Sequence, residues 1–240
     1  MIVEICCTSL QGIKNAAKAG ADRIELCSGL ELGGLTPSKG LVEQSVKLGL
    51  LDIHCLIRPR AGHFSYSKEE VEIIEQDILF AREVGCRGIV IGALTTDFKL
   101  DLSLLKRWKI FAGSMYFTFH RAIDVVIDPF SSIKELIQLN VDCILSSGQK
   151  EKAVDGINEL KLWNQNFGNQ IHIMPGSGVN KENCKLFKSE GFGSLHLSAS
   201  KKIPSISLPF GVNSEISFLK QELSECNISK IQDVINLVKS

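Results

Sequence analysis

The sequence has neither an excess of one charge nor a long apolar run. Its 27 lysines and arginines balance 27 aspartates and glutamates, so the formal net charge is +0. A chain without a basic surplus carries no electrostatic footprint for nucleic acid, and we expect no nucleic-acid partner. No apolar stretch approaches the roughly 18 to 20 residues that cross a bilayer, so we expect no membrane association. The opening residues MIVEIC enter a strand without a basic leader or a cleavage site, which predicts a cytoplasmic location.

Familiar metal, cofactor and linker motifs are also missing. The eight cysteines include no CxxC pair and no compact cysteine and histidine cluster, which argues against a structural zinc site. In a cytoplasmic chain these cysteines are expected to be reduced thiols. No organic cofactor motif is present. No linker rich in proline, glycine or serine divides the chain, so we expect one domain over 1–240, with a C-terminal loop and helix in 203–240.

Apolar strand-like runs alternate with segments of helical periodicity. The strand-like runs lie at 2–7, 23–27, 52–59, 88–94, 115–122, 142–148, 171–179 and 194–199. Helix starts are marked by Ser67 and Glu70, which form a capping box, and by Thr36 as an N-cap before Pro37. Eight such alternations predict an α/β fold, a (β/α)8 TIM barrel with a parallel eight-stranded barrel, more than an open doubly wound sheet.

Polar side chains stand near the ends of nearly all these strands, where TIM barrels build their active sites. They are Glu4, Cys6, Glu25, Cys27, Arg58, Arg60, His120, Arg121, Asp124, Ser147 and His196, and the turn glycines Gly176 and Gly178 lie at the same end. Alternate residues of a strand face the same side, so Glu4 and Cys6 are expected inside the barrel and Cys7 outside it. Glu25 and Cys27 follow the same rule on the neighbouring strand. We therefore expect two thiols to face each other above two carboxylates.

Buried carboxylates need cationic or donor partners, and two interpretations of these residues stay open. The partners predicted for Glu4 and Glu25 are Arg58, Arg121, His120 and His196. One interpretation is a structural ion-pair network inside the barrel. The other is a ligand pocket in which Glu4 or Glu25 is the general base and His120 the general acid.

In the pocket interpretation, the remaining candidates bind an anionic ligand. They are Arg58, Arg60, Arg121, Asp124, Ser147, Gly176, Gly178 and His196. The Gly176–Gly178 turn would present backbone N–H groups to a phosphate at the start of the next helix. The alternative for this turn is a tight connection that binds nothing.

The paired thiols suggest a different site. Thiolates select soft metals, so Cys6 and Cys27 are candidate Cu(I) ligands, with Cys7 or Met174 as an additional soft ligand. Buried cysteines also pack simply as small hydrophobic residues, which is the alternative.

Several motifs together resemble the CutC family, named for a proposed role in copper homeostasis. They are EICC, GADRIELC, GGLTPS, IRPRAGHFSY, FHRAID, ILSSGQK and GSGV. The resemblance covers about residues 1–202 and implies a TIM barrel, a cytoplasmic protein and a homo-oligomer, a dimer or larger. It also implies Cu(I) binding through Cys6, Cys7 and Cys27 near the barrel mouth.

Three functions are consistent with these observations. The first is copper handling, with the copper ion as partner. The second is an uncharacterised enzyme with acid/base or lyase-type chemistry on a small anionic substrate, phosphorylated or carbohydrate-like. The third is a protein that binds such a metabolite without converting it.

Overall fold

The computed structural model describes residues 1–204, 206–220 and 223–239, without the side chains at 218 and 220. Eight strands carry the fold: β1 (Ile2–Cys7), β2 (Arg23–Leu26), β3 (Asp52–Leu56), β4 (Gly88–Ile91), β5 (Tyr116–Phe119), β6 (Cys143–Ser146), β7 (His172–Pro175) and β8 (Ser194–Leu197). The helices are α1 (Leu10–Ala19), α2 (Lys39–Lys47), α3 (Lys68–Val84), α4 (Leu102–Ala112), α5 (Pro129–Gln138), α6 (Ile157–Phe167), α7 (Cys184–Ser189) and α8 (Ile228–Lys239).

The eight strands form one parallel sheet that curls into a barrel. The hydrogen-bonded order is β7-β6-β5-β4-β3-β2-β1-β8, and β7 and β8 lie side by side where the ring closes. One helix follows each of the first seven strands, and α8 packs between α1 and α7 to complete the outer ring. The predicted (β/α)8 barrel is therefore confirmed.

Helices α2 and α3 both begin at a side-chain N-cap, and one of the two predicted N-caps is correct. The capping box at α3 is confirmed, since Ser67 accepts from the N–H of Glu70 and the Glu70 carboxylate accepts from the N–H of Ser67. The predicted N-cap at Thr36 is wrong. Ser38 caps α2 instead, while the Thr36 hydroxyl accepts the backbone N–H of Arg58 and so joins two loops at the barrel mouth.

The apolar core lies between the barrel and the helices. Outward-facing strand residues such as Ile5 and Ile89 pack there against fully buried helix residues, including Trp108 and Trp163. The residues that alternate with these along each strand point into the barrel. Several of them are charged or polar, including Glu4, Arg23 and Glu25, so the barrel interior is more polar.

A short antiparallel hairpin precedes α8. It consists of β9 (Ser200–Lys202) and β10 (Ser224–Cys226), and it was not predicted from the sequence. The hairpin docks on α1, where Ser9 donates to Glu225 and the Asn15 amide donates to the carbonyl of Cys226. Among the described residues, the helices are all too short or too polar to cross a membrane.

Candidate functional site

A cavity of about 330 Å³ opens at the C-terminal ends of the strands, the end expected to hold the site. Seven of the predicted residues line it: Cys6, Glu25, Arg58, His120, Arg121, Gly178 and His196. The loop that follows β2, with Gly33 and Gly34, forms one wall, and Ser177 and Val179 form another. The fold therefore brings predicted residues from three strands, and from the loops that follow three others, together at one mouth.

Below this cavity, Glu4 is the centre of a buried charge network. One carboxylate oxygen accepts from Arg23 Nε at 2.6 Å and the other from His196 Nδ1 at 2.8 Å. His54 Nδ1 lies 4.0 Å from the first oxygen. Burial alone would raise the pKa of Glu4, but the hydrogen bond from His196 and the charge of Arg23 lower it to about 2. Glu4 is therefore ionised and fully paired.

The positive charge beside Glu4 comes from Arg23 and His196 rather than from Arg58 or Arg121. His196 is among the residues predicted from the sequence for this site, whereas Arg23 is not. Strand parity could have identified it, because Arg23 precedes Glu25 by two residues and therefore faces the same side. Arg23 also stacks over the ring of Tyr116 and donates to the sulfur of Met174, which places Met174 in this buried layer.

His196 connects this network to the cavity. Its Nδ1 is bound to Glu4, and its Nε2 lies 3.5 Å from a Glu25 oxygen. Burial opposes the charged imidazolium, yet Glu25 and Glu4 together raise the pKa of His196 above its usual value. Burial also raises the pKa of Glu25, with the charge of Glu4 acting in the same direction. A proton can thus be shared between Glu25 and His196 at the cavity wall.

Two thiols lie directly beside this pair. Cys6 Sγ and Cys27 Sγ are 3.3 Å apart, and both cysteines are buried. Cys6, Glu25 and His196 each offer one potential metal-ligand atom, and these three atoms lie within 4.8 Å of one another. The hydrogen bond with Cys27, followed by burial and by the charge of Glu25, raises the pKa of the Cys6 thiol well above its usual value. The thiols face each other as strand parity predicts, and the raised pKa keeps the Cys6 thiol protonated at neutral pH.

Cys7 does not belong to this group. Because adjacent residues of a strand face opposite sides, its side chain points out of the barrel toward the helices. Its thiol lies 3.4 Å from that of Cys226 on β10. The resemblance grouped Cys7 with Cys6 and Cys27 as copper ligands, but the structure separates it from them by the thickness of β1.

Arg58 lines the cavity, but its terminal nitrogens are occupied. Nη1 donates to the carbonyls of Leu32 and Gly34, and Nη2 donates to that of Gly62. These bonds fix the loops that surround the mouth. Its guanidinium therefore shapes the cavity by holding backbone, while its Nε has no hydrogen-bond partner among the described residues.

Arg121 and Asp124 form a second network at the rim. Arg121 donates to Asp124 and to the hydroxyl of Ser147. Asp124 also accepts from Ser146, from both polar groups of Ser147 and from the N–H of Gln149. The Asp124 carboxylate is thus saturated by protein donors and the Ser147 hydroxyl is fully used by protein partners, whereas the half-exposed Arg121 faces the cavity.

The other predicted ligand residues have local partners. Arg60 pairs with Glu70 at 2.5 Å and lies outside the cavity lining. A Cβ at Gly176 would lie 2.4 Å from Leu145, so this glycine permits close packing of the barrel top. Gly178 adopts φ +71°, a left-handed conformation, and lines the cavity.

His120 offers an unpaired donor at the mouth. Its Nδ1 accepts the N–H of Ala122, so in the neutral ring the proton is on Nε2, for which none of the described residues provides a partner. Burial, assisted by the charge of Arg58, lowers the pKa of His120 to about 3. His120 is therefore a neutral N–H donor rather than a charged acid at pH 7.

Comparison with known proteins relates this chain to a family. The CutC family model matches residues 1–201. A CutC family protein of Pasteurella multocida is 42% identical over 199 residues, which span 82% of this chain and 82% of the relative. The crystal structure of CutC from Streptococcus agalactiae, described there as a candidate copper homeostasis protein, is 31% identical. It covers 82% of this chain and 98% of that one, with a TM-score of 0.79.

More distant barrels show the fold alone. Thiamine phosphate pyrophosphorylase from Pyrococcus furiosus aligns over 99% of this chain and 95% of its own, with a TM-score of 0.60 and 10% identity.

Proposed function

This chain belongs to the CutC family, and from that premise we propose that it acts in copper homeostasis by binding Cu(I) through Cys6 and Cys27. The observation that carries the proposal is the 3.3 Å approach of these two thiols beside the mouth cavity. Paired thiolates favour soft Cu(I) over the hard cations that carboxylates bind. The family name supports a role related to copper, and the thiol pair supplies a site of matching chemistry.

Loading this site requires proton movement. Each thiol must lose its proton to become a ligand, and burial next to Cys27 holds the proton on Cys6. Glu25 and His196 lie within ligand distance of Cys6 and can take up a displaced proton. The same two residues can also complete the coordination shell, since imidazole suits copper as well. Cys6 lines the cavity while Cys27 is 0% exposed, so the metal reaches Cys6 first.

The test is an anaerobic Cu(I) titration against a competing chelator. Cys6→Ser, Cys27→Ser and the double variant should each lose one equivalent of Cu(I) relative to the wild type. Cys184→Ser is the matched control, because Cys184 is equally buried and its thiol donates to the carbonyl of Lys181. A wild-type stoichiometry retained by all three mouth variants would overturn the proposal.

A second function is favoured by the unpaired Nε2–H of His120. This donor, the half-exposed Arg121 and the Glu25–His196 pair line one cavity, which suits acid/base chemistry on a small anionic substrate. In this role Glu25 is the base and His120 a neutral donor to a developing negative charge. Arg121 supplies the positive charge for the anion.

Inorganic phosphate is a direct probe of this second function. Calorimetric titration should detect its binding, weakened at least tenfold by Arg121→Lys and by His120→Phe and unchanged by Cys27→Ser. Absence of phosphate binding, or binding indifferent to both substitutions, would count against an anion site here. The cytoplasmic location and the homo-oligomeric state implied by the family stay proposals, to be tested by fractionation and by light scattering.

A further inference from the structure

A second thiol pair lies on the opposite face of β1. Cys7 Sγ and Cys226 Sγ are 3.4 Å apart, the two residues are 0% and 5% exposed, and 219 positions separate them in the sequence. Cys226 also lies outside the matched family region 1–201. The pair therefore lies outside the mouth, and Cys226, one of its two members, lies outside the residues that the family model covers.

We infer that Cys7 and Cys226 form a second Cu(I) site, built between the barrel wall and the C-terminal hairpin. The inference does not depend on the proposed mouth site, because the two pairs share no residue. Binding is a ligand exchange without oxidation or reduction: Cu(I) forms two Cu–S bonds, and two thiol protons leave for solvent. The copper enters and remains as Cu(I).

The donor set favours Cu(I) over zinc. Structural zinc sites take four protein ligands, whereas Cu(I) is stable with two thiolates. Over residues 1–204, 206–220 and 223–239, the one group of three or more candidate ligand atoms is that of Cys6, Glu25 and His196. The Cys7–Cys226 pair thus provides a low-coordinate, all-sulfur site. The mouth provides a mixed site with nitrogen and oxygen donors nearby.

The surroundings of the pair are shaped to hold the hairpin close. At Gly12 of α1, a Cβ would lie 3.3 Å from Cys226 Sγ and 2.5 Å from a Glu225 oxygen, so glycine leaves room for both side chains. The other Glu225 oxygen accepts from Ser9, and the carbonyl of Cys226 accepts from Asn15. These contacts fix β10 against α1 and keep the two sulfurs together.

Cu(I) reaches the buried Cys7 and Cys226 thiols by opening of the hairpin rather than through the barrel. β10 has three residues, each paired to one residue of β9, and Cys226 is the last of them. Short edge segments of this kind open locally more readily than core strands. Opening the hairpin exposes Cys226, and the metal then ties the first strand to the C-terminal segment.

The experiment is an anaerobic Cu(I) titration that resolves the two pairs. We expect two equivalents in the wild type and one in Cys226→Ser, Cys7→Ser and Cys27→Ser. The combined Cys27→Ser/Cys226→Ser variant should bind none, and Cys184→Ser should retain both. In Cys27→Ser, X-ray absorption at the copper edge should show sulfur ligands alone. Circular dichroism of each variant checks folding, and Cys226→Ala replaces Cys226→Ser if the latter is unfolded.

The outcomes separate this inference from the proposed function. Loss of one equivalent in Cys226→Ser and none in Cys27→Ser would support the hairpin site and remove the mouth site. Equal stoichiometry in the wild type, Cys226→Ser and Cys226→Ala would overturn the inference. So would copper in Cys27→Ser with nitrogen or oxygen ligands.

Discussion

At the scale of single residues, Glu4 organises the barrel interior. Its carboxylate is fully buried and joins Arg23 on one side to His196 on the other. Replacing one partner of a buried ion pair leaves the other charge without compensation. Glu4→Gln would leave the charge of the Arg23 guanidinium uncompensated, and its one amide oxygen would replace only one of the two acceptor oxygens that bind Arg23 and His196.

We expect Glu4→Gln to lower the free energy of unfolding by about 3 kcal/mol at neutral pH. The folded-state pKa of Glu4 is about 2, below its usual 4.5, so its contribution is present above pH 4.5 and is lost as the pH falls toward 2. The difference between wild type and variant should therefore shrink over that window. Urea unfolding at several pH values measures it, with the exposed pair member Glu43→Gln as control. A difference that does not change with pH would contradict the pairing described here.

His120 should make the protein sensitive to acid in a different window. Its folded-state pKa of about 3 lies below its usual 6.5, so the unfolded chain takes up a proton that the folded chain excludes. Wild-type stability should fall relative to His120→Asn, by about 1.4 kcal/mol per pH unit, as the pH drops from 6.5 toward 3. Asparagine keeps an acceptor for the N–H of Ala122 and removes the titration. A difference in the free energy of unfolding between wild type and His120→Asn that stays constant across this pH range would contradict a buried neutral imidazole. His63→Asn, at an exposed position, is the control.

Strand parity predicted which residues face the barrel but not what they bind. It placed Glu4, Cys6 and Glu25 correctly on the inner face, because that alternation depends on the backbone alone. It did not reveal that Arg58 is occupied by backbone carbonyls or that Asp124 is saturated. Those partners come from loops whose paths are fixed only in the folded chain.

At the scale of elements, the start of α3 tests how much a local capping motif contributes to the stability of the protein. Ser67 and Glu70 cap each other reciprocally at the solvent-exposed end of a 17-residue helix. Ser67→Ala should lower the free energy of unfolding by about 1 kcal/mol, whereas Ser67→Asn should retain most of the stability. Thermal unfolding of the two variants gives the comparison. Equal loss in both would show that the serine acts through something other than its capping oxygen.

Helix α2 and the hairpin show where local signals fail. Thr36 has the residue type of an N-cap, yet its hydroxyl is used by Arg58 from a distant loop, and Ser38 takes the capping role. The strands of the hairpin are three residues each, too short to leave a periodic pattern. Both features depend on tertiary contacts that the sequence does not display locally.

At the scale of the whole molecule, repetition made the barrel predictable. Eight alternations of apolar runs and helical segments leave few alternatives for a chain of 240 residues. The Cys7–Cys226 contact was not predictable, because nothing local relates two positions at opposite ends of the chain. Closure of the ring by α8 brings them together.

Metal binding by the whole molecule should depend on pH. At the proposed sites each Cu(I) would displace protons from buried thiols, and the hydrogen bond with Cys27 together with burial raises the pKa of Cys6. At pH values below the thiol pKa, release of one proton weakens binding tenfold for each unit of acidification, and release of two weakens it a hundredfold. Cys226→Ser isolates the mouth pair for this measurement, by chelator competition at about pH 6, 7 and 8. We expect the Kd at the mouth to increase by between tenfold and a hundredfold for each pH unit of acidification, because Glu25 and His196 can retain part of the displaced protons. A Kd independent of pH would mean that thiol protons are not displaced, and it would remove Cys6 and Cys27 as ligands.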